Sequence, residues 1–285
     1  MGVLQNKIDF EGIIVVENAN CNGDPLNGNM PRVTYEGYGE MSDVCIKRKI
    51  RNRLLDAGEN IFVQSDDKNT DGYKSLKARA EANEAFGAEL KKGKKADAQR
   101  GYEIACKEWM DVRSFGQVFA FKGELSLGIR GPVSVQPAFS VDPIDITSMQ
   151  ITKSVNSEGN EGKSSDTMGM KHRVDFGVYV LKGSINVQLS EKTGFTEEDA
   201  EKIKEAIRTL FVNDSSSARP DGSMVMHKLY WWKHNCKIGQ YSSHKVHNSI
   251  EIKKKEGVRN PRKIEDYEII CHELPGLAVE EYEGL

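Results

Sequence analysis

Apolar positions alternate and then run together in residues 8–17 (IDFEGIIVVE), the pattern of a strand buried on at least one face. Residues 18–40 lose any apolar period and fill with Asn, Gly and Pro, which predicts loop. In 42–58 (SDVCIKRKIRNRLLDAG) the period becomes helical. Ile46, Ile50, Leu54 and Ala57 share one face, Ser42 stands as N-cap and Gly58 ends the run. A short strand is predicted around Ile61–Val63. Residues 74–107, rich in Ala, Lys and Glu, predict helix broken near Gly93, an insertion rather than core. Residues 113–141 have strand composition punctuated by Gly and Pro, and 156–167 contain no large apolar residue, which predicts an exposed loop. Val174, Phe176, Val178 and Val180 alternate as a strand. Thr196 to Asp199 read as a capping box, with Phe195 and Ala200 as a hydrophobic staple. The helix face then runs Ala200, Ile203, Ala206, Ile207, Leu210, Phe211. A loop at 214–223 leads to a final strand, MVMHKLYWWKH. The order strand–helix–strand, insertions, strand–helix–strand is the α+β, ferredoxin-like arrangement shared with RNA-recognition domains, whose sheet commonly leaves one face open.

Length and composition fit a folded chain: 285 residues, 38% hydrophobic, 29% charged. No apolar run approaches the roughly 18 residues needed to span a bilayer, and the start has no signal-peptide pattern. Five scattered cysteines with no CxxC argue for a reducing cytoplasm. The net charge of −3 hides an uneven distribution. Basic runs at 42–58 and 245–263 suit phosphates, whereas 264–285 carries seven acids and no Lys or Arg. That acidic end invites the expectation that it masks the 245–263 run.

Candidate chemistry mostly fails on spacing. Gly162-Lys163-Ser164 lacks the earlier glycine of a phosphate loop, since Ser157 stands there. His227, His234, Cys236, His244 and His247 cluster without zinc-finger spacing and read better as a strand end packed on Trp231 and Trp232. Asp24 is the one acid worth testing as a nuclease residue, and before Pro25 it reads first as an Asx-turn former. No nucleophile, metal set or cofactor motif stands out, so the reading is a non-enzyme with no metal and no cofactor. What converges instead is a phosphate-binding layout. The Asn/Gly loop at 20–29 brings backbone N–H groups close to an anion and delivers the chain to a helix start at Ser42. Lys47 and Arg51 then lie one turn apart, about 5–6 Å, on one helix face.

The blocks NANCNGDPLNGNMPR and SDVCIKRKIR, with DVRSFGQVFA, SLGIRGPVSVQPAFSVDPI, SDTMGMKHRVDFGVYVLKGSIN, TLFVNDSSSARPDGSM and WWKHNCKIGQYSSHKVH, resemble the large backbone subunit of type I-C CRISPR surveillance complexes (the Cas-seven type, Csd-two branch). The likeness runs from residue 8 to about 247. It implies an RNA-recognition-type palm (1–64, 108–141, 173–250), a helical insertion (65–107), a projecting thumb loop (142–172) and a basic-then-acidic C-terminal segment (251–285). It also implies a subunit that polymerises head-to-tail along CRISPR RNA with other subunits of the complex and displays the spacer to target DNA, without cutting it.

Carried onto this sequence, Asn20, Asn22, Gly23, Asn29, Met30 and Arg32 line the RNA path, and Ser42, Lys47, Arg48 and Arg51 meet phosphates. Arg113, Phe115 and Gly116 fall near the palm centre. Met168, Met170 and His172 wedge between bases or pack as core where the strand begins. Ser216, Ser217 and Arg219 form a second contact loop, with Arg219 on a phosphate. The rival readings are a metal-dependent ribonuclease using Asp24 or Asp43, and a generic single-stranded RNA-binding module.

Overall fold

A computed structural model describes residues 2–121, 125–152 and 168–285. The predicted loop at 156–167, with the phosphate-loop-like triplet at 162–164, lies outside the described residues.

The central strand β1 (Ile8–Ala19) is buried along nearly its whole length. A two-rung hairpin, β2 (Gly23–Asp24) and β3 (Met30–Pro31), and the short β4 (Tyr38–Met41) lead to helix α1 (Asp43–Asp56). Ile46, Ile50 and Leu54 are buried as the period requires, but Ala57 is the exposed C-cap. The strand expected at Ile61–Val63 does not form. Its backbone donors go to a side chain instead: the Asp111 carboxylate accepts from Phe62 N at 2.7 Å and Val63 N at 3.0 Å.

Four helices fall within 76–115: α2 (Leu76–Ala82), α3 (Glu84–Lys91), α4 (Ala98–Glu108) and α5 (Met110–Phe115), with the expected break around Gly93. Arg113 and Phe115, expected in a strand region, therefore sit on a helix. The insertion is not surface-like. Phe62, Phe86, Leu90, Trp109 and Phe119 form a separate buried cluster, closed by the hairpin β5 (Gly116–Ala120) and β6 (Ser126–Arg130). Its rings meet at tilted and edge-on angles, with centroids 4.8–6.3 Å apart across Phe62, Phe86, Trp109 and Phe119.

The chain returns to the main sheet through β7 (Val133–Val135) and β8 (Ala138–Pro143), and these, not Ile61–Val63, supply the second major crossover strand. β9 (Ile146–Thr152) pairs with the start of the long β10 (Met168–Ile185). The segment expected to be a loop from 142 is therefore a two-stranded ribbon at its root. Helices α6 (Val187–Thr193) and α7 (Glu197–Arg208) follow, the latter with the expected capping box and with Phe195 and Ala200 both buried. Strand β11 (Met224–Lys233) is not the last. It is followed by α8 (Ser243–His247), a β12–β13 hairpin (Ile250–Lys254, Tyr267–Cys271) and β14 (Glu280–Glu283).

The sheet order is β14-β11-β1-β10-β8-β4, and β1 is antiparallel to both neighbours. One face packs under α1 and α7 through Phe10, Ile14, Val16, Leu181, Ile203 and Leu229. The other face was expected to be open and is covered. Ile13, Val15, Phe176, Val178, Tyr230 and Trp232 pack under Val246, Ile250, Tyr267 and Leu277 of the C-terminal segment. The acidic end divides: Asp266 stays on the basic run, accepting from Arg262 N and Lys263 N, whereas the last three acids leave it as β14, where Glu281 and Glu283 meet Lys228 and Glu280 meets Lys204. The histidines take structural bonds. His234 Nε2 donates to Asp9 at 2.9 Å while its Nδ1 accepts from Gln240 N, and His247 donates to Gly183 O. Among the described residues no cluster of His, Cys, Asp and Glu could hold a metal, and no helix is long and apolar enough to cross a membrane.

Covering the second face buries Glu11, which is 1% exposed, with Lys182 Nζ 3.9 Å away. Burial pushes its carboxyl up to about 8, only partly offset by Lys182. The folded chain thus holds a proton that the unfolded chain releases. This contribution to stability is complete below the ordinary carboxylate value of 4.5 and is lost as pH rises towards 8. Glu11→Gln is expected to remove that decline and to gain about 1–3 kcal/mol at pH 8, less than the full shift because the buried amide has its own cost. Thermal melts from pH 5 to 9 check this.

Candidate nucleic-acid interface

Strand register decides which loops meet. Ala19 at the end of β1 stands opposite Val174, and Val16 stands opposite Met224 at the start of β11. The loop after β1, the loop before β11 and the β9–β10 ribbon therefore emerge from one end of the sheet. Hydrogen bonds fasten the first two: Asn20 N donates to Ala218 O at 2.9 Å. The Asn20 amide is 3% exposed and donates to Asn29 O at 2.7 Å, leaving its buried carbonyl oxygen without a partner.

Asn22 ties the loop to the helix. Its Oδ1 accepts from both Ser42 N and Ser42 Oγ at 2.9 Å, while Ser42 Oγ accepts from Cys45 N as the α1 N-cap. Gly23 has no room for a side chain, since a Cβ would lie 2.1 Å from Asn29 Oδ1. Gly28 and Asn29 both adopt positive φ, which turns the hairpin and exposes them. Asp24 accepts from Leu26 N at 3.2 Å, forming the Asx-turn, and meets Arg32 at 3.4 Å; Asp43 pairs with Lys47 at 2.9 Å.

The expected cations differ sharply in what they already hold. Arg48 is 58% exposed and pairs with an equally exposed Asp67, an arrangement worth at most about 1 kcal/mol. Arg51 is turned inward: its Nε donates to the buried Asp111 at 3.0 Å and its guanidinium lies 5.0 Å over the Phe115 ring. The two-cation clamp expected from Lys47 and Arg51 is therefore not formed as an open pair. Lys49, one step away, is 4% exposed and ion-paired to Asp214, which also holds Arg219 Nε at 3.2 Å. Ser216 and Ser217 are exposed beside it, with Ser216 bridged to Arg219.

Arg113 is not brought to this end. It grips Asp199 with two bonds, 2.8 and 3.0 Å, at the N-terminus of α7. That 12-residue helix spans about 18 Å and separates Arg113 from the 213–219 loop. Gly116, with φ 81°, lies against the Ile129 carbonyl and begins β5.

On the ribbon, Met168, Met170 and His172 share one face, paired with Thr152, Gln150 and Ser148. Met168 is 65% and Met170 55% exposed, so neither packs as core, and His172 Nδ1 is 2.7 Å from Ser148 Oγ.

Sequence reasoning missed the carboxylates that hold these cations, and it missed Tyr35. This ring is fully exposed in the turn closed by Gly37 N and Thr34 O, next to the ribbon root where Ile144 N donates to Gly37 O. An aromatic in a Thr-Tyr-Glu-Gly turn, with no apolar period to bury it, was the available signal.

Comparison with known proteins adds four findings. The family model described as CRISPR-associated protein Cas7 matches residues 6–272. The CRISPR-associated protein Cas7 of Haloferax volcanii is 23% identical over 235 residues, covering 74% of this chain and 66% of that protein, just under two thirds of its length. A chain from a solved "CRISPR RNA-guided surveillance complex, pre-nicking" has the same fold, with TM-score 0.51, 17% identity and coverage of 79% of this chain and 78% of that one. A chain from another "CRISPR RNA-guided surveillance complex" aligns at TM-score 0.44 with 16% identity, over 79% and 68% of the two chains.

The burial difference between neighbouring arginines gives a direct test. Arg51→Ala leaves the Asp111 carboxylate buried without its cation and is expected to cost about 3–5 kcal/mol. Arg48→Ala is expected to stay within about 0.5 kcal/mol of the parent chain. Urea melts of the two variants measure this contrast.

Proposed function

The chain belongs to the CRISPR-associated Cas7 family, and from that premise we propose that it is a guide-RNA-binding backbone subunit of a type I-C CRISPR surveillance complex in the cytoplasm. Several copies associate head-to-tail along one CRISPR RNA, together with other subunits, and display the spacer for pairing with target DNA. The order β11-β1-β10-β8, with α1 and α7 on one face, supports a ferredoxin-like palm for 1–64, 108–141 and 173–250. Residues 142–172, described as the β9–β10 ribbon up to Thr152 and from Met168, serve as the thumb, 65–107 as the helical insertion, and 251–285 as a C-terminal cover.

The observation that carries the reading is the convergence at one end of a sheet whose two faces are both occupied. An open sheet face on which bases stack is the usual RNA-recognition surface, and here it is filled by the C-terminal segment. RNA is therefore held by the sheet end. Backbone amides of the Asn/Gly hairpin and the α1 N-terminus approach phosphates. Arg32, Arg48 and Arg219 supply exposed or half-exposed charge, Tyr35 offers a stacking face, and Met168 and Met170 stand out on the ribbon to separate bases. Lys47 is available by releasing its partly exposed Asp43. Arg51 and Arg113 shape the scaffold behind the site.

Each copy brings few phosphate contacts, and affinity comes from repetition along one strand. Sequence is read by base pairing, so the protein needs to recognise only backbone and shape. No cofactor or metal enters this mechanism, and the subunit does not cleave RNA.

Co-expression with a CRISPR array and the partner subunits, followed by gel filtration at 260 and 280 nm, is expected to give a large RNA-rich particle. Its single spacer-containing RNA should be protected at regular intervals. A monomer free of nucleic acid, one bound to assorted RNA, or RNA cut in the presence of magnesium would overturn the reading in favour of a generic binder or a ribonuclease. Arg32→Ala with Arg48→Ala should weaken RNA loading and lower the salt slope by about 0.7 per contact per copy while leaving the fold intact.

A further inference from the structure

Residues 253–263 (KKKEGVRNPRK) hold six cations and one acid, Glu256. They form the tip of the β12–β13 hairpin, which packs across the sheet face opposite α1 and α7. The tip is built rather than loose. Lys255 N donates to Asp266 O at 2.8 Å, Val258 N closes a turn on Lys255 O, and Gly257 takes the φ of 82° that the turn requires. Three contacts dock it against the root of the ribbon: Tyr267 OH to Asp142 at 2.7 Å, Lys254 to Asp142 at 2.9 Å and Arg262 to Asp145 at 3.0 Å. Between tip and sheet lies a cleft of about 240 Å³ lined in part by Lys254, Arg259 and Arg262.

With Lys254, Arg262 and Lys253 (the last held by Glu251 at 2.8 Å) accounted for, the side chains of Lys255, Arg259 and Lys263 form no ion pair among the described residues, and the Asp266 carboxylate beside them is taken by the backbone N–H groups of Arg262 at 2.7 Å and Lys263 at 3.2 Å. Acids were available to neutralise them. Seven lie in the next 22 residues, but the fold carries the last three to β14, where they meet Lys204 and Lys228 instead. Like charges held on a fixed hairpin repel one another and attract a polyanion.

We propose that this hairpin tip is a second phosphodiester-binding surface, engaging the backbone of the DNA that pairs with the guide. The inference rests on the reading of the chain as a guide-RNA subunit. In that reading the ribbon displays the bases, and it stands between two basic surfaces on opposite faces of the sheet. The start of α1 with Arg48 serves the guide. The hairpin tip, docked on Asp142 and Asp145 at the ribbon root, meets the strand that arrives opposite it. Lys255, Arg259 and Lys263 contribute charge without base contacts, so the binding is independent of sequence.

The test uses the whole complex with its RNA loaded, carrying Lys255→Gln, Arg259→Gln and Lys263→Gln together, and duplex DNA that contains the guide's target. RNA loading should be unchanged, DNA affinity should fall about tenfold or more, and the salt slope of DNA binding should drop by about 2–3 for each engaged copy. The opposite change, Glu256→Gln, removes the one acid of the tip and should tighten DNA binding. Normal RNA loading with unaltered DNA affinity in both variants would overturn the proposal and leave the guide-binding reading intact. Loss of RNA loading in the triple variant would overturn it by assigning the tip to the guide. Failure of the parent chain to load RNA would instead remove the reading on which the proposal rests.

Discussion

β1 is hydrogen-bonded on both edges and covered on both faces, and the rest of the molecule follows from that. A strand so enclosed has no lateral surface on which to place chemistry. Polar and charged function must then gather where the strands end, because backbone groups leaving the ladder need new partners. At the Ala19 end those partners come from a side-chain amide, a helix N-cap and the carbonyl of a neighbouring loop. The loop is thereby held in shape by the protein's own bonds. Glu11, caught on the enclosed strand, shows the cost of the same enclosure.

Burial also sorts the cations. Every cation expected to meet phosphate on α1 already has an acidic partner, but the partners are unequal. Taking Arg51 from Asp111 or Lys49 from Asp214 would leave a carboxylate in a poorly hydrated place, whereas Arg48 and Asp67 exchange each other for water at almost no cost. A phosphate competes successfully for the second kind and not for the first. In the proposed assembly along one strand, weak individual contacts are an advantage, since tight binding by any one copy would trap misplaced registers before neighbours could align.

Much of this was legible in the sequence, and the misses share a cause. Periodicity located β1, α1, β10, α7 and β11, because each buries a face with its own regular spacing. The loops at 20–32 and 214–219 could be named from turn residues and from family likeness. What could not be read was long-range pairing. Nothing local to Ile61–Val63 says that its amides will be taken by a carboxylate 48 and 49 residues away rather than by a strand. Nothing in the spacing of Lys47 and Arg51 says that one turns to a partly exposed acid and the other to a buried one. The covered sheet face was missed for the same reason: residues 250–279 have strand and turn composition, but their docking depends on apolar positions 13, 15, 176 and 178 far upstream.

Asp111 explains how so large an insertion can be carried without disturbing the site. Its carboxylate accepts the two amides through which the chain enters the insertion and at the same time holds Arg51 of α1. Within the insertion, Arg79 repeats the device by bonding the Phe62 carbonyl and Asp71. The aromatic cluster beyond is self-contained, with no member in the main core. Helices 76–108 can therefore vary in length or surface charge while the entry point stays fixed to α1. The α1 N-terminus, held at its other end by Asn22, keeps its geometry whatever the insertion does. The buried arginine is thus more useful as an anchor than as a phosphate ligand: it keeps the helix that carries Ser42 and Arg48 in one position.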